Sequence, residues 1–288
     1  MTDSAVPSPA AEPSSSVAPG RAGRNLVPAI AIGAALGLGL VLGPLVFAPW
    51  LFSVIVSAAM VVSAHELRGA FAGRDIHVAT IPVYAGVAAL PAAAYWWGPL
   101  PFVAVLGGML LAVLAWRLVG GPDGYVADVT ASVLVLCYLG VMAGFVGFML
   151  ASSQGANRIV VFVVLTICSD IGGYAAGVLT GRHPMAPRLS PKKSWEGFAG
   201  SLSLQAIAGV LLFVFLLEEP WWQGLVAGLV LTVTATMGDF VESAIKRDLG
   251  VKDMSSLLPG HGGLMDRLDS LLPNAFTCWL LLLVFLGG

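Results

Sequence analysis

The stretch GDFVESAIKRDLGVKDMSSLLPGHGGLMDRLDS fills positions 238–270 and lies between two long apolar runs. It is dense in acids and bases, while the chain around it is apolar and nearly free of charge. Over the 288 residues, 58% are hydrophobic and 10% are charged. Soluble domains carry about 25% charged residues, so this chain has too few to cover a water-facing surface. The expected fold is all-α: a polytopic integral membrane protein. Charge gathered beside a membrane span is where chemistry is expected. The net charge of −2 gives no sign of nucleic-acid binding. Cys137, Cys168 and Cys278 fall in apolar runs without CxxC spacing, and are expected to be small buried hydrophobes rather than disulfide or zinc ligands.

A span needs about 20 apolar residues. Residues 26–64 exceed that, and Gly43-Pro44 and Pro49 divide them into spans near 26–43 and 47–64. A polar loop follows over 65–80. The run 80–119 is broken at Gly98-Pro99-Leu100-Pro101 into two more spans. Further spans are expected near 126–151, 159–180, 197–217, 221–238 and 271–287, which makes about nine. No internal repeat stands out. Residues 1–25, rich in Ser, Pro and Ala, form a disordered cytoplasmic tail rather than a cleaved signal. Residues 26–125 form the N-terminal transmembrane helices. Residues 126–288 form the C-terminal transmembrane helices, which carry the motifs. With the N-terminus inside, basic residues from Arg21 to Arg267 all fall on the cytoplasmic side, and only Arg158 falls outside.

If the span ending near Met237 continues as a helix, Asp239, Glu242 and Lys246 share one face, and Ser243 and Arg247 are paired at i, i+4. On its own, this is an ordinary solvated helix end. The run Leu257-Leu258-Pro259-Gly260-His261-Gly262-Gly263 cannot be helical. Its glycines allow successive N–H groups to form an anion nest. Asp266 and Asp269 lie one turn apart at the start of the last span. With Asp239 they suit Mg²⁺, which takes a few carboxylates plus phosphate oxygens. Lys246, Arg247, Lys252 and Arg267 are near enough in sequence to hold phosphates. Asp170, about mid-span, needs a polar cavity or a partner, and Gly172, Gly173 and Gly177 leave room for one. In the loop 181–197, Arg182, Arg188, Lys192 and Lys193 precede Ser194, a candidate helix cap, and Glu196. His65, Glu66 and His77 look like loop polarity and are given no chemistry.

Together these residues resemble the phosphatidate cytidylyltransferases, also called CDP-diacylglycerol synthases. The resemblance is carried by Ser243, Lys246-Arg247, Lys252-Asp253, His261-Gly262-Gly263 and Asp266-Arg267-Leu268-Asp269. Gly238-Asp239 with Glu242, Ser190–Gly197, and Asp170 with Tyr174 extend it over roughly residues 160–288. The family often has Thr where Ser194 stands, and the hydroxyl survives. The resemblance implies transfer of the cytidylyl group of CTP to phosphatidic acid, giving CDP-diacylglycerol and pyrophosphate. It implies Mg²⁺ on Asp239, Asp266 and Asp269, with room for a second cation. Lys246, Arg247, Lys252, Asp253, His261 and Arg267 would be catalytic. Asp170, Lys192, Lys193, Ser194, Glu196, Glu242, Ser243, Gly262 and Gly263 would bind substrate. It suggests a homodimer among membrane lipids, in a prokaryotic inner membrane, with the site facing the cytoplasm.

The rival classes are a transporter built around Asp170, a scaffold that keeps the fold without the chemistry, and a transferase for another phosphorylated lipid or nucleotide. The topology has a direct check. A cysteine placed at Ser153 should react with an impermeant thiol reagent added outside the cell. Reaction only from the cytoplasmic side would overturn the orientation.

Overall fold

The computed structural model describes residues 48–255, 257 and 262–287, which belong to one packed unit. The tail, the expected span near 26–43 and His261 lie outside the described residues. Helix α1 is Pro49–Ala72, α2 is Thr80–Trp97 and α3 is Pro99–Leu118. Helix α4 runs over Tyr125–Val135, passes a π-helical turn at Leu136–Val141 and resumes over Met142–Ala151. Helix α5 is Gly155–Thr180. Strands β1 (Pro184–Ala186) and β2 (Ser190–Ser194) follow. Helix α6 is Trp195–Leu212 with a π-helical turn at Phe213–Leu217. Helix α7 is Trp221–Leu249, α8 is Met265–Leu268 and α9 is Leu271–Leu286.

Seven of these helical segments are long and apolar enough to cross a membrane: α1, α3, α4, α5, α6, α7, and α8 with α9. The protein is therefore an integral membrane protein of α-helices. The 18-residue α2 is not among those seven, and packs between α1, α3 and α4. Three boundaries differ from the sequence expectation. First, α1 runs on through His65 and Glu66, because Glu66 turns inward and finds hydrogen-bond donors there instead of ending the helix. Second, α7 continues past residue 238 to Leu249, so the charged residues that follow are helical. Third, the loop 181–197 contains an antiparallel hairpin, pairing Pro184 with Ser194 and Ala186 with Ser190. Of the cysteines, Cys278 is buried as expected, while Cys137 and Cys168 are half-buried.

Two apolar cores fill the bundle. Met60, Leu67, Val83, Leu90, Leu136 and Leu139 join α1, α2 and α4. Met149, Ile159, Leu165, Phe213, Leu231 and Leu282 join α4, α5, α6, α7 and α9. Polar side chains bind the second group further, because an unpaired amide is costly away from water. Gln205 on α6 donates to the Leu165 carbonyl on α5 at 2.7 Å and accepts from the Thr232 hydroxyl on α7. Asn274 on α9 donates to Thr166 on α5 at 3.0 Å and accepts from Thr234 on α7 at 2.5 Å.

Helices α5 and α6 meet backbone to backbone at Gly172 and Gly200. A Cβ on Gly200 would lie 2.5 Å from the Gly172 carbonyl, and one on Gly172 would lie 2.6 Å from the Gly200 carbonyl. Gly200→Ala should therefore cost about 1–3 kcal/mol, as overpacking does. Thermal unfolding of the purified protein in detergent would show it as a lowered midpoint.

Candidate functional site

The chain direction alternates along the bundle. The C-terminal ends of α1, α3, α5 and α7 and the N-terminal ends of α2, α4, α6 and α8 therefore share one end. Contacts between Arg74 and Leu249, and between Glu66 and Met265, confirm that these ends meet. At this end a cavity of about 350 Å³ opens between α5, the hairpin, α6 and α7. Asp170, Lys192, Lys193, Ser194, Thr236 and Asp239 line it, with Tyr174 and Met185. Asp170 and Asp239 each stand ten residues before the end of their helix, a depth of about 15 Å. Asp170 thus opens onto the polar cavity that its position required.

The hairpin delivers Lys193. Its ammonium pairs with the Asp239 carboxylate and lies 5.3 Å from the centre of the Phe240 ring. Burial pulls the pKa of Lys193 below the ordinary lysine value, while the charges of Asp269 and Asp170 act to raise it. The hairpin is fixed to α6 by two residues expected to bind substrate. Ser194 caps α6, accepting from the Gly197 amide at 3.1 Å. Glu196 accepts from the amides of Arg182 and His183 at 3.1 and 3.2 Å, and its other oxygen meets His183 Nδ1 at 2.5 Å. Ser194 also lines the cavity, whereas Glu196 is turned to the hairpin base and serves as its latch.

Nearer the end of α7 and beside α8, Lys246 stands between two carboxylates. Its Nζ is 2.6 Å from Glu242 Oε2 and 2.8 Å from Asp266 Oδ1. The shared face of Asp239, Glu242 and Lys246 is thus real, but Glu242 is only 2% exposed and lies beneath Lys246. Its contact is with that lysine, not with the cavity. The second Glu242 oxygen is buried without a hydrogen-bond partner among the described residues.

Asp266 uses its other oxygen to accept from the amides of Gly263 at 2.7 Å and Met254 at 3.0 Å. Asp269 accepts from the Ser270 amide at 2.9 Å. Its backbone packs so close to α7 that only glycine fits at Gly238. Of the run expected to form an anion nest, residues 258–261 lie outside the described residues; Asp266 takes the Gly263 amide, and just beyond the run Glu66 takes the amides of Leu264 and Met265. Gly262 has the positive φ, 79°, that the glycine pattern anticipated.

Ser243 is half-buried on α7. Arg247, Lys252, Asp253 and Arg267 are exposed and are not among the residues that line the cavity. Among the described residues, no three His, Cys, Asp or Glu side chains come together as a metal cage. Asp239, Asp266 and Asp269 are instead interleaved with Lys193 and Lys246. Sequence reasoning missed Glu66 and Arg74. A signal existed for Glu66, since helical spacing from Ser63 and to Ala70 puts it on the buried stripe of α1.

The fold and site define a polytopic membrane protein with a cleft of paired acids and bases at one end. The sequence model of the cytidylyltransferase family matches residues 29–285, and the chain belongs to that family. It is 40% identical over 275 residues to the phosphatidate cytidylyltransferase of Mycobacterium bovis, covering 91% of this chain and 90% of that protein. It is 39% identical over 278 residues to the enzyme of that name from Mycobacterium leprae, covering 91% and 89%. The match to the Staphylococcus haemolyticus enzyme is 35% over 144 residues, half of this chain and 55% of the other.

Breaking the Lys246 pairs tests the arrangement. Lys246→Met leaves Glu242 and Asp266 unmatched, and should cost about 3–5 kcal/mol. Adding Glu242→Gln should restore much of the folded yield without restoring turnover. Detergent-stable yield and product formation would be measured for both variants.

Proposed function

We propose that the protein transfers the cytidylyl group of CTP to phosphatidic acid, giving CDP-diacylglycerol and pyrophosphate. The cavity carries this reading. It holds Lys192 and Lys193 with Asp170 and Asp239, and the exposed apolar side chains Ile171, Val178 and Met237 lie on the two helices beside it. A water-borne polyphosphate and a lipid phosphate can meet there. The close relatives bearing the name phosphatidate cytidylyltransferase support the same reaction.

A phosphate oxygen of the lipid attacks the α-phosphorus of CTP. A new P–O bond forms, and the bond to the bridging oxygen breaks with its electron pair leaving on pyrophosphate. The nucleophile is already an anion, so no strong base is needed. Repulsion between the two anions is the larger barrier, and preorganised positive charge lowers it. Lys193 and Lys192 line the cavity where phosphates would lie. Lys246, fixed from both sides, holds a cation against the same cluster. The exposed Arg247, Lys252 and Arg267 would draw the polyphosphate toward the site.

The carboxylates of Asp239 and Asp269 have the hard oxygen donors that Mg²⁺ prefers, and Asp239 already faces a cation, the Lys193 ammonium. Asp266 would join them by releasing Lys246. Bound there with the nucleotide, Mg²⁺ would supply electrostatic stabilisation of the phosphoryl oxygens. A second cation would find a donor in the Glu242 oxygen that has no hydrogen-bond partner among the described residues.

The site faces the cytoplasm of a prokaryotic cell in this reading, with the N-terminus on the same side and a ninth helix near 26–43. Its support is the gathering of basic residues at the cavity end, against Arg158 at the other. Exposed Trp50, Trp96, Trp97, Trp221 and Trp222 mark that other end as a membrane interface. A homodimer remains part of the proposal. A transporter is less well supported, because Asp170 shares its cavity with Lys193 and Asp239 at one end of the bundle.

The test is direct. Purified protein with CTP, phosphatidic acid and Mg²⁺ should release pyrophosphate and form CDP-diacylglycerol. Absence of both products across lipid and metal conditions would sink the reading.

A further inference from the structure

The half of the chain without motifs reaches into the half that has them. Arg74, just after α1, meets the C-terminal end of α7. Its Nη2 donates to the Asp248 carbonyl at 2.6 Å and its Nε to the Leu249 carbonyl at 3.2 Å. Such terminal carbonyls lack partners within the helix, and a cation suits the negative end of the helix dipole. Gly250 then turns the chain with φ 74°.

Glu66, on α1, meets the residues that open α8. It is only 5% exposed. Its Oε1 accepts from the Leu264 amide at 2.9 Å and the Ser255 hydroxyl at 2.6 Å, and its Oε2 accepts from the Met265 amide at 2.8 Å. A Cβ on Gly263 would come within 2.7 Å of this carboxylate, so a larger residue there would push the Glu66 side chain aside. Each charge is matched to the groups it meets: a cation to carbonyls, an anion to amides.

We propose that Glu66 and Arg74 are a two-point clamp that sets Gly263–Met265 against the end of α7, and that Glu66 is a positioning residue for the transfer reaction. The link to the charged cluster is short. Glu66 fixes the amides of Leu264 and Met265, and Asp266 is the next residue. Asp266 accepts from the Gly263 and Met254 amides with one oxygen and holds Lys246 with the other. Movement at Glu66 is therefore transmitted to the ammonium of Lys246. The kinetic part of this inference rests on the proposed transfer reaction, and the geometric part does not.

The test uses the full chain in detergent, with the wild type beside it. Glu66→Gln keeps the size of the side chain but sets an amide N–H₂ against the amide of Met265, donor facing donor. Turnover per folded molecule should fall about tenfold, as expected when a charged hydrogen bond is lost. Hydrogen exchange should accelerate at Gly263–Met265 while α5 and α6 stay protected. Glu66→Asp, which keeps two acceptor oxygens, should recover part of the turnover. Arg74→Ala should accelerate exchange at Gly250 and Val251. Wild-type turnover and exchange in Glu66→Gln would overturn the clamp. Exchange raised evenly along the chain would also overturn it, since that marks a role in global stability only. A wild type without CDP-diacylglycerol product would count against the transfer reaction, while the exchange data would still judge the clamp.

Discussion

A charge beside a membrane span is tolerated when an opposite charge answers it. Much of the site follows that constraint, with charges or hydrogen-bond donors as the answer. Lys246 is answered by Glu242 and Asp266, Lys193 by Asp239, and Glu66 by three donors. Among the described residues, acids and bases alternate rather than segregate into a metal cage and a phosphate pocket. Substrates entering such a site do not meet empty charge. In the proposed reaction a phosphate would take the place of a carboxylate on lysine, and Mg²⁺ would take the place of lysine on the carboxylate.

The frame must keep these partners in register. Glycine contacts between α5 and α6 bring Asp170 and the hairpin to one cavity, since the helices could not approach so closely with side chains between them. Gln205 and Asn274 tie α5, α6, α7 and α9 together below that level. Such amide links are directional, whereas lipid-facing leucines permit sliding. The cavity therefore stands on a base that resists rotation of individual helices.

Much of this was legible in the sequence because the membrane makes strong demands. Low charge and long apolar runs announced helices, and Pro and Gly marked the breaks at Gly98 and before α1. The pairing of Glu242 with Lys246 followed from helical spacing once α7 was allowed to continue. Other parts were hidden for physical reasons. The hairpin has few strand-forming residues, and its order comes from Glu196 holding its base, a contact invisible without coordinates. The amides near Gly263 looked free because sequence does not tell which carboxylate fills a nest. Glu66 and Arg74 are separated by more than a hundred residues from the groups they hold, so no local pattern revealed them.

The length of α7 carries a consequence of its own. Its 29 residues span about 43 Å, against a hydrocarbon core of about 30 Å. With Trp221 and Trp222 anchored at one interface, about 20 residues use up the apolar thickness, and the helix leaves the hydrocarbon near Asp239 and Glu242. In the proposed reaction it would work as a depth gauge, setting the charged cluster level with the phosphates of the facing leaflet. A lipid can then present its headgroup by sideways diffusion, with its acyl chains still among their neighbours. Bilayer thickness thereby becomes a kinetic variable: a thicker membrane draws the charged cluster inward, and a thinner one lifts it away from the headgroups it must meet.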